Sequence, residues 1–226
     1  MNLSKTTLTT IATFSAVTIG LDDAYAAPIT FVDADLTNTT LDAGFPIILG
    51  TNVTTTRVNG DDLWAYDTGF GNGPAVFAAG ASDVVGNVLE TTVSSLPSNT
   101  YDVYVFYFAS TAPQTDANWD IEAQVGPNPP VIASGLGDGI DPSTLDFAVT
   151  PTFAFGNNGD IQMRAINIGT VTGTEFKVFI SAPDTVSGGG EPRTWFDGVG
   201  YAVVPEPGSL ALLVMGGVCA LRRRRN

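Results

Sequence analysis

Tyr101-Asp102-Val103-Tyr104-Val105-Phe106-Tyr107-Phe108-Ala109, the run YDVYVFYFA, decides the fold. Side chains alternate between the two faces of an extended chain. Tyr101, Val103, Val105, Tyr107 and Ala109 therefore share one face, and Tyr104, Phe106 and Phe108 share the other. A strand that is apolar on both faces must be covered on both, so it belongs at the centre of a sheet. Outward from it, short apolar or alternating runs recur at 29–32, 47–49, 63–66, 76–78, 88–93, 119–125, 145–149, 153–155, 161–168, 175–181 and 195–203. Between them lie GFGNG (69–73), GPNPP (126–130), GDGIDP (137–142), GNNG (156–159) and SGGGEP (187–192), rich in residues that supply or preset turn geometry. No stretch of helical length shows the i, i+3, i+4, i+7 pattern. The spacing predicts an all-β chain, a two-sheet antiparallel β-sandwich of jelly-roll type.

The run LPSNTYDVYV leading into the central strand resembles the Leu-Pro-x-x-Thr-Tyr corner of fibronectin-type and jelly-roll modules. In that corner the tyrosine hydroxyl ties the strand to the preceding turn, a role that falls on Tyr101. WFDGVGYAVV, from Trp195, reads as a closing strand and sets the end of the body near Val204. Residues 27–204 are enough for one sandwich-sized domain.

Both ends of the chain read as export signals. Residues 1–26 carry Lys5, an apolar run from Leu8 to Leu21 and small residues at Ala24 and Ala26, which predicts a secretory signal peptide cut before Ala27. Residues 205–226 open with Pro205, Glu206 and Pro207, continue through an uncharged run from Gly208 to Leu221, and close on Arg222, Arg223, Arg224 and Arg225. As a transmembrane helix that run would be about 21 Å long, short of the roughly 30 Å hydrocarbon core. The arginines would stay on the cytoplasmic side and leave the body outside. A Pro-Glu-Pro tripeptide, a short hydrophobic helix and a terminal arginine cluster, in that order, resemble the PEP-CTERM sorting signal of Gram-negative bacteria. The resemblance implies a substrate of exosortase, an integral-membrane cysteine protease-like enzyme. The partners expected are thus signal peptidase, exosortase and, transiently, the bacterial inner membrane, with delivery to the cell surface or beyond.

Composition removes many activities. The chain has no histidine and one cysteine, Cys219, in the tail, so a Ser-His-Asp triad, a Cys-His dyad and a His-ligated metal are excluded. No intrachain disulfide can form. Between residues 27 and 204 there are four basic residues against 20 acidic ones, a net charge of −16. Such a field repels nucleic acid and anionic lipid.

The reading that follows is a non-enzymatic, structural or adhesive protein of the cell surface or extracellular matrix, with a carbohydrate-binding module for extracellular polysaccharide as the alternative and glycoside hydrolysis behind both. For glycan binding the candidates are Trp64, Tyr66 and Tyr104, rings that would stack on sugars; Trp64, between Asp62 and Asp67 and near the Gly-rich loop, is the one expected at the surface, and Trp119 is assigned to the core by its alternation with Ile121, Ala123 and Val125. For hydrolysis the pair is Asp120 and Glu122, two apart on one strand face and about 7 Å between Cα atoms. No cofactor is expected except calcium, for which Asp138 and Asp141 in the Gly-rich turn, with Asp33, Asp35, Asp61 and Asp62, are oxygen donors. Aspartate is also an ordinary turn residue, and that reading competes with calcium throughout. The threonine clusters at 37–40 and 51–56 have no fixed period and offer no flat array for ice binding.

Overall fold

A computed structural model describes residues 27–41, 47–50, 64–68, 75–79, 88–110, 119–151, 161–182 and 193–205. The signal peptide, the strand expected at 153–155 and the tail from Glu206 onward lie outside the described residues. Within them the chain is all-β: β1 (Thr30–Asp33), β2 (Thr39–Leu41), β3 (Ile48–Gly50), β4 (Ala65–Asp67), β5 (Val76–Ala79), β6 (Leu89–Val93), β7 (Asn99–Ser110), β8 (Asp120–Val125), β9 (Val131–Ser134), β10 (Ile161–Gly173), β11 (Phe176–Ser181) and β12 (Thr194–Val203). A single turn of 3-10 helix spans Pro142–Thr144. Among the described residues no helix is long and apolar enough to cross a membrane.

Two sheets face each other. One has seven strands in the order β10-β7-β12-β5-β4-β3, with β1 also paired to β12; the other has five, β2-β6-β11-β8-β9. Among the described residues the strand pairings are antiparallel, as expected, with one parallel exception, β3 with β4. β7 lies between β10 and β12, as its two apolar faces require. Val103, Val105 and Tyr107 point into the core with Ile121, Ala123 and Val125 of β8 and Val178 and Ile180 of β11, all at most 1% exposed. On the other face of β7, Phe106 meets Phe31 edge-on at 5.1 Å between ring centroids and Phe147 at 5.9 Å.

That second layer explains one of two departures from the expected strands. Residues 145–149 form no strand; Phe147 makes an isolated bridge to Ile29 and is spent covering Phe106. The short strands β2 and β9 were not expected, and β2 is secured by a buried hydroxyl pair, Thr39 Oγ1 to Thr91 Oγ1 at 2.9 Å.

β12 is divided along its length. One edge pairs with β7 from Trp195 to Val203; the other pairs with β5 at Thr194–Phe196 and with β1 at Gly198–Tyr201. A bulge at Asp197 marks the changeover. The glycines of WFDGVGYAVV make room for it: a Cβ on Gly198 would stand 2.5 Å from the Val32 carbonyl oxygen, and one on Gly200 would stand 2.7 Å from Phe106 and 2.8 Å from Ile29. Real Cβ atoms do not approach so closely, so these positions admit glycine alone without rearrangement. The corner is present too. The Tyr101 hydroxyl donates to the Pro97 carbonyl at 2.5 Å, and its ring meets Tyr201 edge-on at 5.5 Å.

Candidate functional site

The first site is the junction of body and tail. β12 ends at Val203, the Val204 N–H donates to the Thr100 carbonyl at 2.9 Å, and Pro205 follows immediately. Proline has no N–H and cannot extend the ladder, so the sheet stops where the Pro-Glu-Pro segment starts. Glu206, Pro207 and Arg222–Arg225 lie outside the described residues.

Of the three aromatic candidates, two are withdrawn into the core. Trp64 is 0% exposed and Tyr66 7%, the latter tilted on Phe77 at 4.9 Å. Neither ring presents a face to solvent, which corrects the expectation that the acidic flanks of Trp64 would keep it at the surface. Tyr104 is half-buried on the outer side of β7. Trp119 is buried as expected and meets Trp195 edge-on at 4.8 Å.

The acidic candidates fall into two kinds. Some serve their own turns. Asp35 accepts from the Thr37 N–H at 2.7 Å, the Thr37 hydroxyl at 2.5 Å and the Asn38 N–H at 3.1 Å. Asp138 accepts from the N–H and hydroxyl of Ser134 at 2.8 and 2.7 Å, and Asp141 caps the 3-10 turn by accepting from the Ser143 N–H at 2.9 Å. Hydrogen bonds that favour the charged form hold all three carboxyls below the usual aspartate range. Asp138 and Asp141 thus behave as turn formers, and among the described residues no group of three acidic, histidine or cysteine side chains gathers to hold a metal. Asp61 and Asp62 lie outside the described residues.

Asp33 and Asp120 are of the other kind. Burial, with the negative charge of Asp35 added, pushes Asp33 up to about 6; burial and then Asp138 do the same for Asp120. One oxygen of each lacks a hydrogen-bond partner. Asp120 is 6% exposed and Glu122, two residues on, is half-buried, so the strand face that carries both is closed at one end and open at the other.

That open face is the outer side of the five-stranded sheet. β11 alternates: Phe176, Val178 and Ile180 are buried, whereas Lys177 is exposed and Phe179 and Ser181 are half-buried. Register sets Phe179 between Glu90 of β6 and Gln124 of β8, and Ser181 beside Glu122. Val88, Glu122, Gln124, Pro130, Phe179 and Ser181 line a shallow pocket of about 90 Å³ there. The Ser181 hydroxyl donates to Glu122 Oε2 at 2.8 Å, and Gln124 Nε2 donates to the Gly126 carbonyl at 3.1 Å. Lys177 Nζ is engaged by Glu90 at 2.5 Å. Phe179 was missed in the sequence, where the available signal was one aromatic on the polar side of a cleanly alternating strand.

The molecule is therefore an all-β, two-sheet protein whose closing strand runs straight into a C-terminal signal. Residues 203–225 match the PEP-CTERM protein-sorting motif, so the chain carries the sorting motif that its tail resembles, which implies an exported, membrane-processed protein. No curated protein sequence matches the chain. Among solved structures it is similar to a family two carbohydrate esterase from Cellvibrio japonicus, at 11% identity over 79% of this chain and 34% of that one, with a TM-score of 0.36. It is also similar to a GH26-CBM35 β-(1,4)-mannanase from Podospora anserina, at 12% identity over 80% of this chain and 29% of that one, with a TM-score of 0.34. A third is a family GH115 4-O-methyl-α-glucuronidase with specificity for decorated arabinogalactans, at 11% identity over 63% of this chain and 16% of that one, with a TM-score of 0.35. The chain spans about a third or less of the length of each. Likeness at that level says nothing of ligand or activity.

Proposed function

We propose that this chain is an exported surface or extracellular-matrix protein, sorted and clipped by exosortase, whose β-sandwich does structural or adhesive rather than catalytic work. The observation that carries the proposal is the sorting motif at residues 203–225, which begins on the final residue of β12. On this reading signal peptidase removes residues 1–26, the tail helix holds the chain transiently in the inner membrane with Arg222–Arg225 inside, and cutting near Pro205–Pro207 releases the body outward. The acid-rich surface suits that destination, since a net charge of −16 keeps copies apart and in solution.

Intact-mass measurement on the full chain, expressed in a Gram-negative host with and without exosortase, tests this. With the enzyme, the exported species should begin at Ala27 and lack the four arginines; without it, the tail should stay on and the chain should sediment with membranes. A cytoplasmic chain that begins at Met1 and keeps every arginine would overturn the proposal. Turnover of a glycoside lost in Asp120→Asn or Glu122→Gln would overturn its non-catalytic part alone.

A further inference from the structure

We propose that the outer face of the five-stranded sheet binds a neutral saccharide unit, stacked on Phe179 and held at its edge by Glu122 and Gln124. This rests on the export reading only for where such a ligand is met. The alternation of β11 fills its inner face with Phe176, Val178 and Ile180 and leaves Phe179 between Lys177 and Ser181 on the solvent side. Directly opposite side chains in paired strands have Cβ atoms about 5 Å apart, so the ring rises between a carboxylate, Glu90, and an amide, Gln124. A sugar ring has an apolar C–H face and a rim of hydroxyl donors. The pocket offers the complement: an aromatic face with Val88 and Pro130 beside it, and oxygen acceptors at its border.

Those acceptors are already aimed. The hydroxyl of Ser181 fixes one oxygen of Glu122, and an ionised carboxylate has further lone pairs to offer. The NH₂ of Gln124 is tied to the Gly126 carbonyl, which leaves its own carbonyl as the accepting end. All three groups stand on paired strands, where side chains are placed more rigidly than on loops. Charge selects among sugars. Glu122 lines the pocket, the nearby cation Lys177 is engaged by Glu90, and the body as a whole is at −16, so a uronate or a sulfated sugar meets like charge.

Affinity electrophoresis of the full chain in a mild nonionic detergent would test the site, with hydroxyethylcellulose, galactomannan, xylan and dextran as neutral probes and alginate as the polyuronate. At least one neutral polymer should retard the chain, and alginate should not. Gln124→Ala, an exposed-face change that leaves the core intact, should weaken that interaction about 3- to 10-fold, in line with one lost hydrogen bond. Phe179→Ala should weaken it more than 10-fold, with a circular-dichroism melt to show that the variant is folded. Retardation by none of the neutral polymers overturns the proposal, as does retardation that Gln124→Ala leaves unchanged, or preference for alginate. Sedimentation velocity covers the remaining occupant: self-association through this face, abolished by Gln124→Ala, would assign it to a second copy of the chain and overturn the saccharide. None of these results bears on where the tail is cut, so this proposal and the sorting proposal fail separately.

Discussion

The seven-stranded sheet is buried on both faces along β12, β5, β4 and the second half of β7, while the five-stranded sheet is buried on one. In the first, β7 sends Val103, Val105 and Tyr107 to the inter-sheet core and Phe106 and Phe108 to a second apolar layer. In the second, β6, β8 and β11 alternate buried apolar residues with half-buried or exposed Glu90, Thr92, Glu122, Gln124, Lys177 and Phe179. The two sheets come from one chain under one set of rules, yet only one of them has side chains to spare. The doubly covered sheet holds the body together and carries the tail through β12; the singly covered sheet has the face that a ligand can reach.

If that division of labour is real, the largest losses should come from the first sheet. Gly198→Val puts atoms where the Val32 carbonyl already stands and should cost about 3 kcal/mol in a denaturant titration, enough to displace β1 from β12. A loss below about 1 kcal/mol would show that the β1–β12 crossing is soft.

The next effect sharpens the comparison through pH, because Asp33 belongs to one sheet and Asp120 to the other. Both carboxyls sit near 6 in the folded chain, against an unfolded value near 3.8. Well below pH 3.8, folded and unfolded forms are both protonated and these two carboxyls add no pH-dependent penalty. Between pH 4 and 6 the unfolded chain releases these protons first, so stability falls as pH rises. Asp35, Asp138 and Asp141 work with the opposite sign: their lowered values add stability above pH 4 that is lost in acid. The melting temperature should therefore peak near pH 4–5. Asp120→Asn should flatten the descent from pH 4 to 6 and stabilise the chain at pH 7 by on the order of 2 kcal/mol. A melting temperature that rises steadily from pH 4 to 7 would contradict this.

Smaller again is Tyr101→Phe, which removes the hydroxyl bonded to Pro97 and keeps the ring against Tyr201; a loss of about 1 kcal/mol is expected in thermal melts. Lys177→Ala comes last. It breaks the exposed contact with Glu90 on the open face and should leave the melting temperature within error, because solvent screens such pairs. A measurable drop would mean that the open face is stapled rather than spare.

What could be read beforehand was whatever needs only neighbours along the chain, in either sheet: a run apolar on both faces located β7, the alternation from Trp119 located β8, and LPSNTY located the corner. Residues 145–149 misled because an apolar segment laid over a sheet has the same composition as one inserted into it, and only the bridge between Phe147 and Ile29 tells them apart. Trp64 and Tyr66 misled because nearby acids suggested water, yet Asp67 is itself buried among the strands that carry them. Phe179 went unnoticed because its meaning depends on Glu90 and Gln124, both more than 50 residues earlier in the chain and adjacent only once β11 has paired.

The way β12 leaves the sheet has a mechanical consequence. On the sorting route proposed above, in which the tail is held in the bilayer, any drag on the body is transmitted through Val203 along the axis of β12. That strand is paired to β7 over nearly its whole length and to β1 at Gly198–Tyr201. Tension along a strand so placed pulls its ladder in shear, which loads many bonds at once, whereas the same force on an edge hairpin would open them one at a time. On that route the tether is anchored in an inner strand of the larger sheet rather than at an edge, so a body tugged by flow or by neighbouring polymer is loaded across two ladders at once.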